Sequence, residues 1–342
     1  MRQAPTGTGA QFQPKGIFAI VSRVVSYLIT MEFIEGAWKF SSPLKTSVTI
    51  GNFDGVHLGH RELVRRTVAH ARRLGVPSVV LAFCPHPVRF FRPESGFCEV
   101  ATIHEKAARM RELGIDVFVV EPFDGKVSNM SPEEFARTML CLRLRASVVT
   151  VGYNFSFGRQ KTGSPGILTA LGRELGFEVD VTPPFLHGGE AVSSSRIRDL
   201  LLAGKVREAE ELLSRPFEVS GPVEKGYGRG VRLGFPTANM VISRSLLLSP
   251  GVYVVDVEVG GETLRGLANV GCKPTFGGAA MGIEAHLFDF RGNLYGKEAS
   301  IRFRERIRDE RKFQGADELV TQIQKDVEYA RRMDLPIWEG PP

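Results

Sequence analysis

Residues 47–61 read SVTIGNFDGVHLGHR: a β-branched strand, a glycine-punctuated turn and the opening of a helix. Leu63, Val64, Val68, Ala71 and Leu74 follow at helical spacing. The same alternation continues outward. SVVLAF (78–83), IDVFVV (115–120), ASVVTV (146–151) and EVDVT (178–182) are short β-branched runs separated by helical patterns. Thr102 with Glu105, and Ser131 with Glu134, are spaced as capping boxes, and Pro132 sits at the first helical position of the second. Strands that are apolar on both faces and alternate with helices predict a doubly wound α/β domain with a parallel sheet. Its ligand belongs at the carboxyl ends of the strands.

The texture changes near Arg215-Pro216. GVYVVDVEV (251–259) runs into the turn pair Gly260-Gly261. IEAHLFDF (283–290), the turn RGN (291–293) and EASIRF (298–303) follow. These predict a small, closed antiparallel barrel. A last helix over Ala316–Met333 carries Leu319, Ile323, Val327 and Ala330 on one face, to pack on the barrel. The expected domains are 31–214 and 215–342. Residues 1–30 are expected to be a loose extension, with Met31 the true start, and a short membrane-surface helix is the lesser alternative.

Composition narrows the classes. At 342 residues, 43% hydrophobic and 24% charged, the chain is globular and long enough for about two domains. The net charge of +6 suits an anionic ligand without demanding nucleic acid. The four cysteines, Cys84, Cys98, Cys141 and Cys272, form no CxxC pair, which fits a reducing compartment. No apolar run of 18 residues exists to cross a membrane. There is no GxxxxGK[ST] phosphate loop, and no GxGxxG after the first strand.

Chemistry concentrates in four places. His57 and His60 are three apart and share a face at a helix start, where free N–H groups favour an anion. Gly59 between them leaves room for a phosphate to approach. Two imidazole donors there suit the charge on a transferring phosphoryl group, against the plain alternative of a tight turn with two surface histidines. VSSSRIR (192–198) offers serine hydroxyls, helix N–H groups, Arg196 and Arg198, the parts of a triphosphate clamp. One serine alone would be a cap. GYGRGVRLGFPTAN (226–239) supplies Gly226, Gly228, Gly230 and Gly234 for a backbone wrap around phosphates, with Arg229 and Arg232 adding charge. Thr237 and Asn239 share a face if extended, and their oxygens suit Mg²⁺. Glu284 lies in an otherwise apolar strand: an edge charge, or a general base whose pKa burial raises. The alternating Arg302, Arg304, Arg306 and Arg308 are expected to form a solvated, ion-paired face, the alternative being a nucleic-acid surface.

Taken in order, GNFDGVHLGH, PHP (85–87), VGYNFSFG (151–158) and SSSRIR resemble the adenylylating module of bacterial FAD synthetases, within the nucleotidylyltransferase superfamily. PTAN, GVY (251–253), NVGCKPTF (269–276), EAHLFDF and LYGK (294–297) resemble riboflavin kinase. Together the likeness spans about 31–335. Two positions depart from the pattern. Asn154 stands where Asp is usual, and Ser195 where Thr is usual. Asn keeps a hydrogen-bonding group and Ser keeps the hydroxyl.

The resemblance implies a bifunctional enzyme. A C-terminal riboflavin kinase would make FMN from riboflavin and ATP, and an N-terminal FMN adenylyltransferase would make FAD and pyrophosphate. It implies His57 and His60 on the α-phosphate, and Ser194, Ser195 and Arg198 on the β- and γ-phosphates. Asn154 would contact FMN or ATP. Gly51, Phe53, Asp54 and Gly59 belong to the adenylylation motif, and Gly226, Gly228, Arg229, Gly234 and Pro236 to the kinase nucleotide loop. Thr237 and Asn239 would hold Mg²⁺, and Glu284 would be the kinase base. A cytoplasmic monomer or weak homo-oligomer with small-molecule partners, and neither nucleic acid nor membrane, is expected. The competing expectations are a nucleotidylyltransferase for another acceptor with a passive barrel, and an RNA-binding protein.

Overall fold

The computed structural model describes residues 31–225, 234–240, 242, 246–275, 278–290 and 292–338. The expectation for residues 1–30 lies outside them, as do Gly226, Gly228 and Arg229.

The first half is a six-stranded parallel sheet. Its strands are β1 (Glu32–Glu35), β2 (Thr46–Ile50), β3 (Ser78–Cys84), β4 (Val117–Pro122), β5 (Ala146–Gly152) and β6 (Glu178–Thr182), in the order β1-β4-β3-β2-β5-β6. Five strands follow the sequence expectation. β1 does not: EFIE is four residues long with acids at both ends, too short to show a period. It pairs in parallel with β4, Glu32 opposite Val117.

Alternate residues of β3 and β4 feed two cores. Val79, Leu81, Val117 and Val119 join Phe135, Leu140 and Leu168 on one face. Val80, Ala82, Phe118 and Val120 join Val64, Val68 and Met110 on the other. Helix α1 (Leu58–Leu74) and helix α2 (Ile103–Glu112) supply the second set. Covering on both faces is why these strands read as continuous apolar runs. Both capping boxes form, at Thr102–Glu105 and Ser131–Glu134.

The second half is a closed antiparallel barrel. It is built from β9 (Phe217–Glu224), β10 (Ala238–Met240), β11 (Gly251–Val259), β12 (Glu262–Thr275), β13 (Gly278–Leu287) and β14 (Glu298–Arg308). The short pair β7 (Leu186–His187) and β8 (Glu190–Ala191) precedes it. Tyr253, Val255 and Val257 of β11 face the barrel core. Val252 and Val254 face outward, under Ala330 and Val327 of the C-terminal helix Ala316–Arg332. That strand is therefore buried on both sides, and its β-branched run is explained. Gly260 and Gly261 turn with φ of 64° and 85°, as a two-residue hairpin needs.

The arginine run is ion-paired throughout. Arg302 meets Glu218 at 2.7 Å, Arg306 meets Asp309 at 2.5 Å and Arg308 meets Asp326 at 2.8 Å. Arg304 departs from the solvated face expected of it. It is buried and meets the fully buried Asp256 at 2.6 Å, beside Arg265. Register shifts along β14 break the strict alternation.

Two helices join the halves, α4 (Ser194–Leu202) and α5 (Val206–Leu213), α3 being Pro165–Leu175. Ile197, Leu201, Ala209 and Leu212 lie in the same apolar cluster as barrel residues Phe217, Val219 and Tyr253. The helix that carries the SSSRIR motif thus has its back against the second half. No helix among the described residues is long and apolar enough to cross a membrane.

Candidate active sites

In the first sheet, strand order grows from β2 toward β3 on one side and toward β5 on the other. The carboxyl ends of β2 and β5 therefore flank the topological switch point, the place where open α/β sheets bind their ligands. Residues 51–60 leave β2 there, and exposed Asn154 leaves β5. Sequence order alone had put both motifs at strand ends. The topology brings those ends side by side.

His57 is the N-cap of α1, and its Nδ1 accepts from His60 N at 3.3 Å. With Nδ1 accepting, the neutral ring carries its proton on Nε2. The two imidazoles stack, centroids 3.6 Å apart. A Cβ on Gly59 would press on the His57 ring at 3.3 Å, so glycine serves the stack as well as any ligand. Gly51 likewise sits against the Phe53 ring. Phe53 is fully buried, with its edge toward His60 at 5.3 Å. It stands behind the site as a support. Burial, and then the Arg215 charge, push His57 down to about 4. Burial, then His57 and Lys106, hold His60 well below the usual imidazole range. Both rings are neutral near pH 7. His60 Nδ1 is buried without a hydrogen-bond partner, the kind of atom a ligand satisfies.

Asp54 ties this loop to α4. It is buried, and accepts from Val100 N at 2.8 Å and Ala101 N at 3.2 Å. Its Oδ2 meets Arg198 Nη1 at 2.6 Å, and its backbone carbonyl accepts from Ser194 Oγ at 2.8 Å. Burial raises its carboxyl, against the pull of Lys106, the Ala101 amide and Arg198. Ser193 is the helix cap. Ser195 is exposed and accepts from Arg198 Nη2 at 3.3 Å. Arg196 turns away to the His187 carbonyl and Glu190. So Ser194, Ser195 and Arg198 share one corner with His57 and His60, while Arg196 leaves it.

Sequence reasoning missed several neighbours. Lys106 is 1% exposed and meets Glu99 at 2.6 Å. Phe97 packs at a tilt against His86, ring centroids 4.6 Å apart, and lies under the Arg198 guanidinium at 4.8 Å. Exposed Phe90 and Phe91 pack edge-on around Phe123 at the carboxyl ends of β3 and β4. A buried lysine belongs to no spacing motif, and the Phe123 partner of Phe90 and Phe91 lies in another loop.

These buried imidazoles set a pH dependence. His86 is also pushed to about 4, chiefly by burial, and caps Pro87–Phe91 by accepting from Val88 N. An unfolded histidine titrates near 6.5. Between there and 4 the unfolded chain binds protons that the folded one refuses. Stability is therefore full above about pH 6.5 and falls as pH drops toward 4. Each of His57 and His86 contributes about 2–3 kcal/mol to that loss. Melting followed from pH 7.5 to 4.5 checks this, and His86→Asn, which keeps a capping oxygen, should flatten the slope.

On the barrel, β10 and β13 pair with Asn239 opposite Glu284, and β12 pairs with β13 with Asn269 opposite Glu284. Glu224 faces Asn239 from β9. Ile283 and Ala285 point into the core, so this rung of Glu224, Asn239, Glu284 and Asn269 faces outward. Glu284 is half-buried there and does not enter the barrel interior. Its Cβ stands about 4.5–5.5 Å from that of Asn239, as cross-strand partners do. Thr237 precedes β10 by one residue, half-buried. Gly234, at φ 84°, and exposed Pro236 lead into it. His286 Nδ1 donates to the Pro236 carbonyl at 2.9 Å and stacks edge-on with Phe235, pinning the PTAN segment. No cluster of three or more His, Cys, Asp or Glu among the described residues could hold a metal by itself. The hydroxyl and amide of Thr237 and Asn239, beside a carboxylate, are an all-oxygen set that fits Mg²⁺ carrying water and phosphate ligands.

The family model for FAD synthetase matches residues 39–196, and that for riboflavin kinase residues 213–334. A bifunctional riboflavin kinase/FMN adenylyltransferase of Escherichia coli (strain K12) is 36% identical over 304 residues, 88% of this chain and 97% of its own. One from Listeria monocytogenes is 34% identical over 289 residues, 83% of this chain and 91% of its own. A crystal structure described as a macrolide-efflux protein from Streptococcus pneumoniae superposes with a TM-score of 0.82 at 31% identity, over 89% of this chain and 100% of that one.

Proposed function

The chain belongs to the bifunctional riboflavin kinase/FMN adenylyltransferase family, and from that premise we propose how its residues divide two successive reactions. The barrel phosphorylates riboflavin to FMN, and the parallel-sheet half adenylylates FMN to FAD. The boundary falls at 214/215, where the connecting helices end. The observation that carries the adenylyl assignment is the stacked, neutral His57–His60 pair at the switch point, joined through Asp54 to Ser194 and Arg198.

In the first reaction the ribityl primary hydroxyl attacks the γ-phosphorus of ATP, and ADP leaves. Glu284 takes the hydroxyl proton. Thr237 and Asn239, one rung away, would hold Mg²⁺, which neutralises phosphate charge when bound. Gly226, Gly228, Arg229 and Gly234 bind the nucleotide, as the family resemblance implies, and Pro236 leads the chain into β10. Positioning and charge neutralisation supply most of the rate.

In the second reaction an FMN phosphate oxygen attacks the α-phosphorus of a second ATP, and pyrophosphate leaves. The phosphate, with a second pKa near 6, is already largely dianionic and needs no base. His57 and His60 donate hydrogen bonds to the α-phosphate as charge builds. Ser194, Ser195 and Arg198 hold the leaving β- and γ-phosphates, with Asp54 orienting Arg198. Gly51 and Gly59 let the loop close down, Phe53 braces His60, and Asn154 contacts the substrate edge. The Phe90–Phe91–Phe123 platform takes the flavin ring by stacking. The enzyme works in the cytoplasm on small molecules alone, as a monomer or weak homo-oligomer.

Incubating the purified protein with riboflavin, ATP and Mg²⁺ tests both steps. Chromatography should show FMN rising first and then converting to FAD. Folded protein that yields neither product overturns the proposal and favours another acceptor.

A further inference from the structure

The two halves meet at Ser214-Arg215-Pro216, and this turn reaches into the adenylylation loop. Arg215 Nη2 donates to the Gly55 carbonyl at 2.7 Å. Its Nη1 donates to the carbonyls of Leu213 at 3.2 Å and Val56 at 3.4 Å. Beside it, Arg61 of α1 donates to Ser214 Oγ at 2.5 Å. Two residues after Arg215 the chain enters β9, the first strand of the barrel.

The loop so held is strained. Phe53, Gly55 and Val56 have φ of 47°, 83° and 44°. Glycine takes such a value freely, whereas a β-branched valine does not. Residues of this kind persist only where their surroundings over-determine them, and they cluster at functional sites. Val56 directly precedes His57. Any relaxation of its backbone moves the imidazole and its stack on His60. A planar guanidinium can meet two successive carbonyls with one rigid fork, and an ammonium cannot.

We propose that Arg215 is a positioning residue for adenylyl transfer: its grip on the Gly55 and Val56 carbonyls fixes His57 against the α-phosphate and makes FAD formation depend on the seating of the kinase half. This rests on the assignment of His57 and His60 to that reaction. The Arg215 charge is also the second cause, after burial, of the lowered affinity of His57 for a proton. The kinase rung, on β10 and β13, lies elsewhere on the barrel.

The test uses full-length wild-type, Arg215→Met and Arg215→Lys proteins in two separate assays, riboflavin to FMN and supplied FMN to FAD. A wild type that makes no FAD overturns the assignment beneath the proposal and is seen before any variant is read. Given wild-type FAD formation, Arg215→Met should lower kcat for FAD by about 10- to 100-fold, the scale of a loss of alignment near 1 Å. KM values for FMN and ATP should stay within about threefold, and FMN formation within about twofold. The His57 imidazole titration, followed by NMR, should move to higher pH. Arg215→Lys, which keeps the charge and part of the grip, should recover some of the kcat and most of the titration. Unchanged FAD formation in Arg215→Met overturns the proposal. So does a parallel loss of both activities, which marks a plain structural strut. If Arg215→Met does not fold, Arg215→Lys decides by the same split: reduced FAD kcat with intact FMN formation supports the proposal, and any other pattern rejects it.

Discussion

His57→Ala should reduce FAD formation from FMN by about 10²–10³-fold, the usual cost of removing one preorganised donor from a charge-stabilising site. FMN formation from riboflavin should stay within about twofold, because the proposed kinase residues Asn239 and Glu284 stand on other strands. His57 also caps α1, so alanine would remove a cap worth about 1 kcal/mol besides the donor. His57→Asn separates the two effects. Asparagine is a good N-cap and lacks the Nε2–H proposed to meet the α-phosphate. If Asn restored wild-type FAD turnover, capping alone would account for the alanine defect and the catalytic role would be wrong. Equal losses in both variants support hydrogen bonding to the α-phosphate.

Glu284→Gln should do the reverse. Loss of a general base costs about 10²–10⁴-fold in rate, read here as FMN formation. Glutamine preserves the size and polarity of the rung opposite Asn239 and Asn269, so the barrel should keep its melting temperature. With FMN supplied, FAD should form at a rate within about twofold of wild type. Near-normal FMN formation in Glu284→Gln would remove Glu284 as the base and leave positioning by Thr237 and Asn239 to carry the kinase step.

Much of this architecture could be read from the sequence. A strand covered on both faces leaves an unbroken β-branched run, so β2 to β5 and β11 announced themselves, while the edge strand β6 showed only the alternating EVDVT. Capping boxes were legible because their two partners lie three residues apart. The histidine pair and the serine cluster were legible for the same reason. What escaped depends on distance along the chain. Asp54 was read as part of the glycine turn, yet its ion pair is with Arg198, in another helix. Arg215 looked like a linker residue, yet its carbonyl partners are in the loop before His57. Arg304 looked solvent-facing because a bulge cannot be seen in an alternating run. Glu284 read as a charge in an otherwise apolar strand, and its rung with Asn239, Asn269 and Glu224 was not legible because those partners stand on other strands.

The four-residue strand β1 has a consequence for the protein's behaviour at high concentration. Without it, β4 would be the outermost strand, with Val117 to Val120 offering unpaired backbone groups along an apolar rim, a template for aggregation. β1 occupies that rim and is itself a poor template, being short and bearing exposed Glu32 and Glu35 at its ends. At the opposite rim, β6 carries exposed Glu178 and an Asp180 engaged by Arg66 and His70. Charged side chains at both borders discourage one sheet from extending into the next, so the acids of EFIE act as guards against intermolecular pairing.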